Sequence, residues 1–108
     1  MEPATYGIII YQGATWKREL TLKQDNSPLH LSGYSAQMII KSGNDVVLDL
    51  NSGSGDIVVG DSSPNITITI TSTKTALLNF GSATYVLEIA SGGVVDRLLE
   101  GSVTLHKR

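Results

Sequence analysis

The side chains able to act as a base or bind a metal begin with two histidines, His30 and His106. Neither has a second histidine or a carboxylate at a ligand spacing such as HExxH, so both are expected as exposed strand residues. Asp45, Asp49, Asp56 and Asp61 fall in one half of the chain and could gather around calcium, a hard cation that takes loop oxygens. They lack an EF-hand spacing, and solvated loops are the better reading. Ser54 lies in Gly53-Ser54-Gly55 and Ser62-Ser63 precede Pro64, with no GxSxG elbow and no triad order. The pairs Gly53/Gly55 and Gly92/Gly93 lack the following helix that a phosphate-binding loop needs, so they are expected to reverse the chain. No catalytic, cofactor or metal site is expected, and an enzyme is not.

The residues with more to offer are those suited to contact. Arg97/Glu100 and Arg18/Glu19 are neighbours that could pair as ions. Arg18 alternates with Trp16, Leu20 and Leu22 on what reads as a core face. It either reaches Glu88 or Glu100 across the sheet or lies at an edge and contacts a partner, where Arg and Trp are enriched. The start, Tyr6 to Tyr11 (YGIIIY), places Ile8, Ile9 and Ile10 in succession, so any strand there is apolar on both faces. Such a strand is either interior or an edge that pairs with a neighbouring subunit, because left open it would aggregate. Tyr6, Ile8, Ile9, Ile10, Tyr11 and Arg18 are therefore the candidate interface.

The elements that position these residues follow from a period of two in nearly every apolar segment, with Gly, Asn, Asp, Ser and Pro between them. Trp16 to Lys23 reads as a strand, Gln24 to Pro28 as a polar turn, and Tyr34, Ala36, Met38 and Ile40 as one face of the next strand. Ser42-Gly43-Asn44-Asp45 is a hairpin signal leading to Val46, Leu48 and Leu50 inward, with Val47 and Asp49 outward. A short strand at Asp56 to Val59 precedes Ile66, Ile68 and Ile70, which interleave with Thr67, Thr69 and Thr71. Ser72 to Leu78 offers a cap and one or two helical turns. Tyr85, Leu87 and Ile89 face inward, Ser91-Gly92-Gly93 turns the chain, and Leu98 to Leu105 closes it with a β-bulge expected at Gly101.

This is an all-β pattern of about seven to nine short antiparallel strands with one short helical crossover. An immunoglobulin-like β-sandwich is the first choice and a small barrel the alternative. Ala83-Thr84-Tyr85-Val86-Leu87 after the crossover suggests a corner where the Tyr85 hydroxyl bonds back to the preceding turn.

Composition narrows the function classes. The 108 residues fit one domain, 1–108; 17% are charged and 41% apolar, enough for a core. Eight Lys and Arg against ten Asp and Glu give a net charge of −2 with no basic stripe, so no nucleic acid partner is expected. There is no cysteine, which excludes disulfides and thiolate metal sites. No run is long enough to span a bilayer, and Met1 to Gly7 lacks the start of a signal peptide, so a soluble product of a cytoplasm is expected, with no membrane or small-molecule partner. The Asn65-Ile66-Thr67 glycosylation signal is discounted on that ground.

The order Gln12-Gly13-Ala14-Thr15-Trp16, then Leu29 through Ile40 (LHLSGYSAQMII), then Thr84-Tyr85-Val86-Leu87-Glu88-Ile89 and Arg97-Leu98-Leu99-Glu100-Gly101-Ser102-Val103 resembles small structural proteins of tailed bacteriophages. These are similar to the immunoglobulin-like N-terminal domain of upper baseplate proteins, which docks receptor-binding machinery onto the tail. Larger relatives continue into a helical or fibre-like extension, whereas this chain stops at His106-Lys107-Arg108. The resemblance implies a stand-alone virion module, made in the host bacterial cytoplasm, that binds other virion proteins and copies of itself as a baseplate, neck or tail-fibre attachment adaptor. A capsid decoration protein of the same fold is the alternative. A carbohydrate-binding module stacking glycans on Trp16, Tyr34 or Tyr11 is a third, with Trp16 patterned as core. The family implies no catalytic residue and no cofactor.

Overall fold

The computed structural model describes residues 4–24 and 26–107. Met1 to Pro3, Asp25 of the Gln24 to Pro28 turn and Arg108 of the terminal tripeptide lie outside the described residues.

Alternating strands must bury one face each, and here they do so by packing two sheets together. The larger contains β1 (Ala4–Thr5), β2 (Ile8–Tyr11), β6 (Ser35–Ser42), β7 (Asp45–Asn51), β10 (Ala83–Ser91) and β11 (Val94–His106). Its order is β1-β11-β10-β6-β7, and β2 continues from β1 along the same side of β11. The smaller is β3 (Trp16–Leu20), β9 (Ile66–Ile70) and β8 (Ile57–Val59), with β9 central. A two-residue hairpin, β4 (Lys23–Gln24) with β5 (Ser27–Pro28), and one helix, α1 (Ser72–Leu77), complete the chain. The fold is an immunoglobulin-like β-sandwich. Three two-residue strands bring the described elements above the seven to nine expected.

The core is almost wholly aliphatic. Ile66, Ile68 and Ile70 of β9 meet Ala36, Met38 and Ile40 of β6 and Tyr85, Leu87 and Ile89 of β10, with Ile8, Ile10, Leu50 and Val103 closing the sides. Burying side chains of this size contributes about 1.5–3 kcal/mol each. Two buried polar residues serve the loops. Asn65 accepts from the Leu22 amide at 2.8 Å and donates to the Leu22 and Leu29 carbonyls at 2.8 and 3.0 Å, so one amide group holds both sides of the β4–β5 hairpin. Thr75 of α1 donates to the Ala14 carbonyl at 2.8 Å and accepts from the Gly13 amide at 3.1 Å, fixing the turn that carries the chain from one sheet to the other. Thr71 caps α1, accepting from the Lys74 amide.

Four expectations are corrected. Pairing is not antiparallel throughout, because β1 and β2 run parallel to β11. The first and last strands meet at one edge with the whole domain as their crossover, which supplies the long connection that parallel strands require. Tyr34 lies before β6 and is exposed, so the face there starts at Ala36. In β7, Ile40 faces Leu48 while Lys41 faces Val46, leaving Val47 as an extra residue. That bulge reverses the parity, so Val46 is 54% exposed and Val47 packs against the core.

The bulge expected at Gly101 falls instead at Leu98, because Leu87 pairs with Leu99 and Glu88 with Arg97. Gly101 pairs in register with Tyr85, and its role is clearance: a Cβ there would collide with the backbone of Tyr6 as the chain passes between β1 and β2. Gly101→Ala is expected to cost about 1–3 kcal/mol, the usual penalty for a methyl forced into a filled space. An unchanged urea midpoint would show that the N-terminal segment can step aside.

Candidate functional site: an open sheet edge

The parallel register of β2 on β11 decides which groups it uses internally. Ile8, Ile9, Ile10 and Tyr11 face Val103, Thr104, Leu105 and His106. The amides of Tyr6 and Gln12 donate to the carbonyls of Glu100 and His106, both at 2.9 Å. Even-numbered residues therefore direct their backbone groups toward β11, and Gly7, Ile9 and Tyr11 direct theirs away. The side chains follow the same alternation. Ile8 and Ile10 are 4% and 0% exposed in the domain's own core, whereas Ile9 and Tyr11 are 49% and 58% exposed. Within YGIIIY the edge strand is thus Ile8–Tyr11, and Ile8 and Ile10 of the candidate interface are not accessible to a partner. Among the described residues no strand pairs with the outer side of β2.

The other edges carry features that discourage pairing. On β3, Lys17 and Glu19 stand outward. β7 has Asp45, Asp49 and the Val47 bulge, and β8 is three residues long. Charge, bulges and shortness are the usual means of blunting an edge. β2, four residues long, carries no charge, no proline and no register shift in its pairing with β11.

Tyr6 and Arg18 sit beside this edge, over the open side of the sandwich. The Arg18 guanidinium lies 4.6 Å from the centre of the Tyr6 ring, so its charge rests on an aromatic face. Neither Glu88 nor Glu100 is its partner. Both carboxylates belong to Arg97, at 3.5 and 3.7 Å, because Arg97 projects from the outer face of the large sheet as they do and Arg18 does not. The Tyr85 hydroxyl donates to the Tyr6 carbonyl at 2.5 Å. The corner bond expected with the preceding turn is therefore a bond to the N-terminal segment. Burial raises the Tyr85 phenol above its ordinary range, with the Arg18 charge opposing, so it remains a donor.

The side chains with chemical potential are dispersed. His30 is exposed, 3.7 Å from Asp61, and His106 stacks on Tyr11 with ring centres 5.0 Å apart. Asp56 pairs with Lys74 at 2.8 Å and accepts from the Ser54 hydroxyl at 2.6 Å. Asp61 accepts from the Ser32 amide and hydroxyl, and Asp49 from the Gln37 amide group. No three of the described His, Asp or Glu residues converge as metal ligands. Asn65 is buried and committed to three hydrogen bonds, and Trp16 packs against the core. An apolar groove of about 280 Å³ beside Leu20, Leu22, Leu98 and Leu99 marks where the two sheets part. Nothing in the sequence marks Asn65 and Thr75 for these roles, since each looks like any polar residue beside a strand or in a helix.

No protein-family model matches the chain, and no curated protein matches its sequence. Its fold is similar to the extracellular domains of the voltage-gated sodium channel β4 subunit, whose parallel homodimer structures are described as explaining a role in cell–cell adhesion. That similarity has a TM-score of 0.55 at 10% identity and covers 100% of this chain and 96% of the other. A structure from work on multimeric cell-adhesive interactions of sodium channel β subunits gives 0.51 at 9%, covering 96% and 92%. At such identities the likeness is one of fold.

Tyr85→Phe is expected to lower stability by about 1–2 kcal/mol, because it orphans the Tyr6 carbonyl, and to speed hydrogen exchange in residues 6–11 more than elsewhere. Equal exchange across the domain would refute a local tie. The Lys74 hydrogen bond, then that of Ser54, holds the Asp56 carboxyl below its ordinary 3.8. The folded value is depressed, so its contribution is complete above the unfolded value and is lost as pH falls through the folded one. Asp56→Asn should flatten the acid limb of the stability profile below about pH 4; an unaltered limb would remove Asp56 from it.

Proposed function

We propose that this chain is an assembly module of a tailed-bacteriophage particle, an immunoglobulin-like domain that joins neighbouring virion proteins and copies of itself by protein–protein contact. The observation that carries this reading is the β2 edge, which is unpaired and uncharged and is flanked by exposed Ile9 and Tyr11. A sheet edge offers a row of backbone donors and acceptors to any extended segment, and apolar side chains on one face add specificity. Tyr6 and Arg18, half open beside it, extend the surface with residue types favoured at interfaces.

Two further considerations support it. The segments from Gln12 to Trp16, Leu29 to Ile40, Thr84 to Ile89 and Arg97 to Val103 resemble baseplate-type structural proteins, and this resemblance alone supplies the adaptor role at baseplate, neck or fibre attachment. The similar solved structures are of extracellular domains that form homodimers in adhesion, so this architecture has served association elsewhere. The reading requires no catalysis, metal or cofactor, and its location is the virion.

The test is mass spectrometry of purified particles of the phage that encodes the chain, separated into tails and capsids. The chain is expected in the tail fraction in fixed copy number. Recovery with capsids alone would make it a decoration protein, and its absence from particles would overturn the virion reading.

A further inference from the structure

The occupant of the β2 edge can be specified further, on the premise that the chain is an assembly module. We propose that β2 pairs antiparallel with β2 of a second copy of this chain, about a twofold axis passing between the two Ile9 residues, to join two six-stranded sheets into one.

The argument begins with self-complementarity. A twofold axis requires the same surface on both partners, so a charge at its centre would face itself. β2 carries no charge and places Ile9 at the middle of the three residues whose backbone groups point outward, Gly7, Ile9 and Tyr11. Antiparallel pairing centred there sets Ile9 against the partner's Ile9 and Gly7 against the partner's Tyr11. All these positions direct N–H and C=O toward the partner, so each pair exchanges reciprocal hydrogen bonds. The Tyr11 carbonyl already accepts from the Ala14 amide at 3.0 Å and has a second lone pair to offer.

The side chains fit the same register. Ile9 and Tyr11 project from the outer face of the large sheet, on which Gly7 leaves a bare patch. Within one chain the Tyr11 ring stacks on His106; turned across the twofold axis onto the partner's Gly7 instead, it covers backbone that is otherwise wet. Within its own chain Gly7 has ordinary backbone geometry, and a Cβ there would meet only the Ser102 hydroxyl, at 3.3 Å. Intrachain packing therefore gives a weak reason for glycine at this position, and the cross-strand ring gives a strong one. Lys17 and Glu19 on β3 and the aspartates on β7 put charge on those edges, and β8 is uncharged but only three residues long, so β2 is the longest uncharged edge among the described strands.

The chain has no cysteine, so a single introduced thiol reports the geometry without interference. Facing residues in a hydrogen-bonded antiparallel pair have Cα atoms roughly 5.5 Å apart, within the roughly 4.4–6.8 Å that a disulfide spans. Full-length protein carrying Ile9→Cys is expected to form a covalent dimer under mild oxidation at least tenfold faster than Val94→Cys, whose more exposed site lies at the far end of β11. Light scattering of the wild type should give a dimer, and Ile9→Lys should give a monomer that still unfolds cooperatively, since that side chain is half exposed, with a midpoint that no longer rises with protein concentration as the wild-type dimer's does. Equal cross-linking of the two cysteine variants, or a dimer that persists in Ile9→Lys, would overturn β2 pairing while leaving the assembly reading to the particle analysis. A wild-type monomer at every concentration would overturn the pairing as well. Dimerisation through Ile9 in a protein absent from particles would do the reverse, retaining the pairing and removing the virion role.

Discussion

The structure depends on the seating of its first strand against its last. Nearly a hundred residues separate Ile8 from Val103, yet these strands lie side by side and bury Ile8 and Ile10 in the common core. The approach is possible because Gly101 gives up its side chain where Tyr6 crosses, and it is held by the Tyr85 hydroxyl on the Tyr6 carbonyl. A glycine and a phenol from adjacent strands of one sheet thus set the depth at which the N-terminal segment docks. The Arg18 guanidinium then lies over the Tyr6 ring, so the same segment also shields the open side of the sandwich.

The loops are handled by a different economy. A sandwich core of aliphatic side chains has no means of ordering polar connections, whose backbone groups must nevertheless find partners. Asn65 and Thr75 supply those partners from inside, each engaging loop backbone that carries no regular pairing of its own. Both are almost fully buried, and no buried side-chain nitrogen or oxygen among the described residues lacks a hydrogen bond. The polar interior is small, and it sits where the chain passes between sheets.

Much of this was legible in the sequence because strand faces repeat every two residues. The alternating isoleucines and threonines of β9 admit one reading, and the Gly-rich turns before β7 and β11 bracket their strands clearly. Periodicity fails where a single inserted residue changes parity: nothing in Asp45-Val46-Val47-Leu48 marks Val47 as the extra one, since three apolar residues in a row satisfy either phase. It fails again at Gly101, where a glycine in a strand signals a bulge and a close approach equally well. The candidate interface was legible as a segment and not as individual residues. Three consecutive isoleucines require two covered faces, but which of them face the core follows from the register with β11, a contact across the whole chain that local pattern does not contain. The Tyr85 bond was missed for the same reason, its donor being evident and its acceptor lying 79 residues away.

The parallel alignment of β1 and β2 with β11 has a mechanical meaning. Tension applied at Ala4 and at His106 pulls on two strands that run the same way, so the load falls along their length and slides one past the other. The hydrogen bonds between them must then yield together, whereas an antiparallel hairpin pulled from its open end yields one bond at a time. The Tyr85 hydroxyl, reaching from β10 to the Tyr6 carbonyl, resists the same displacement. Pulled at those two ends, the seam yields as a shear joint rather than as a zipper.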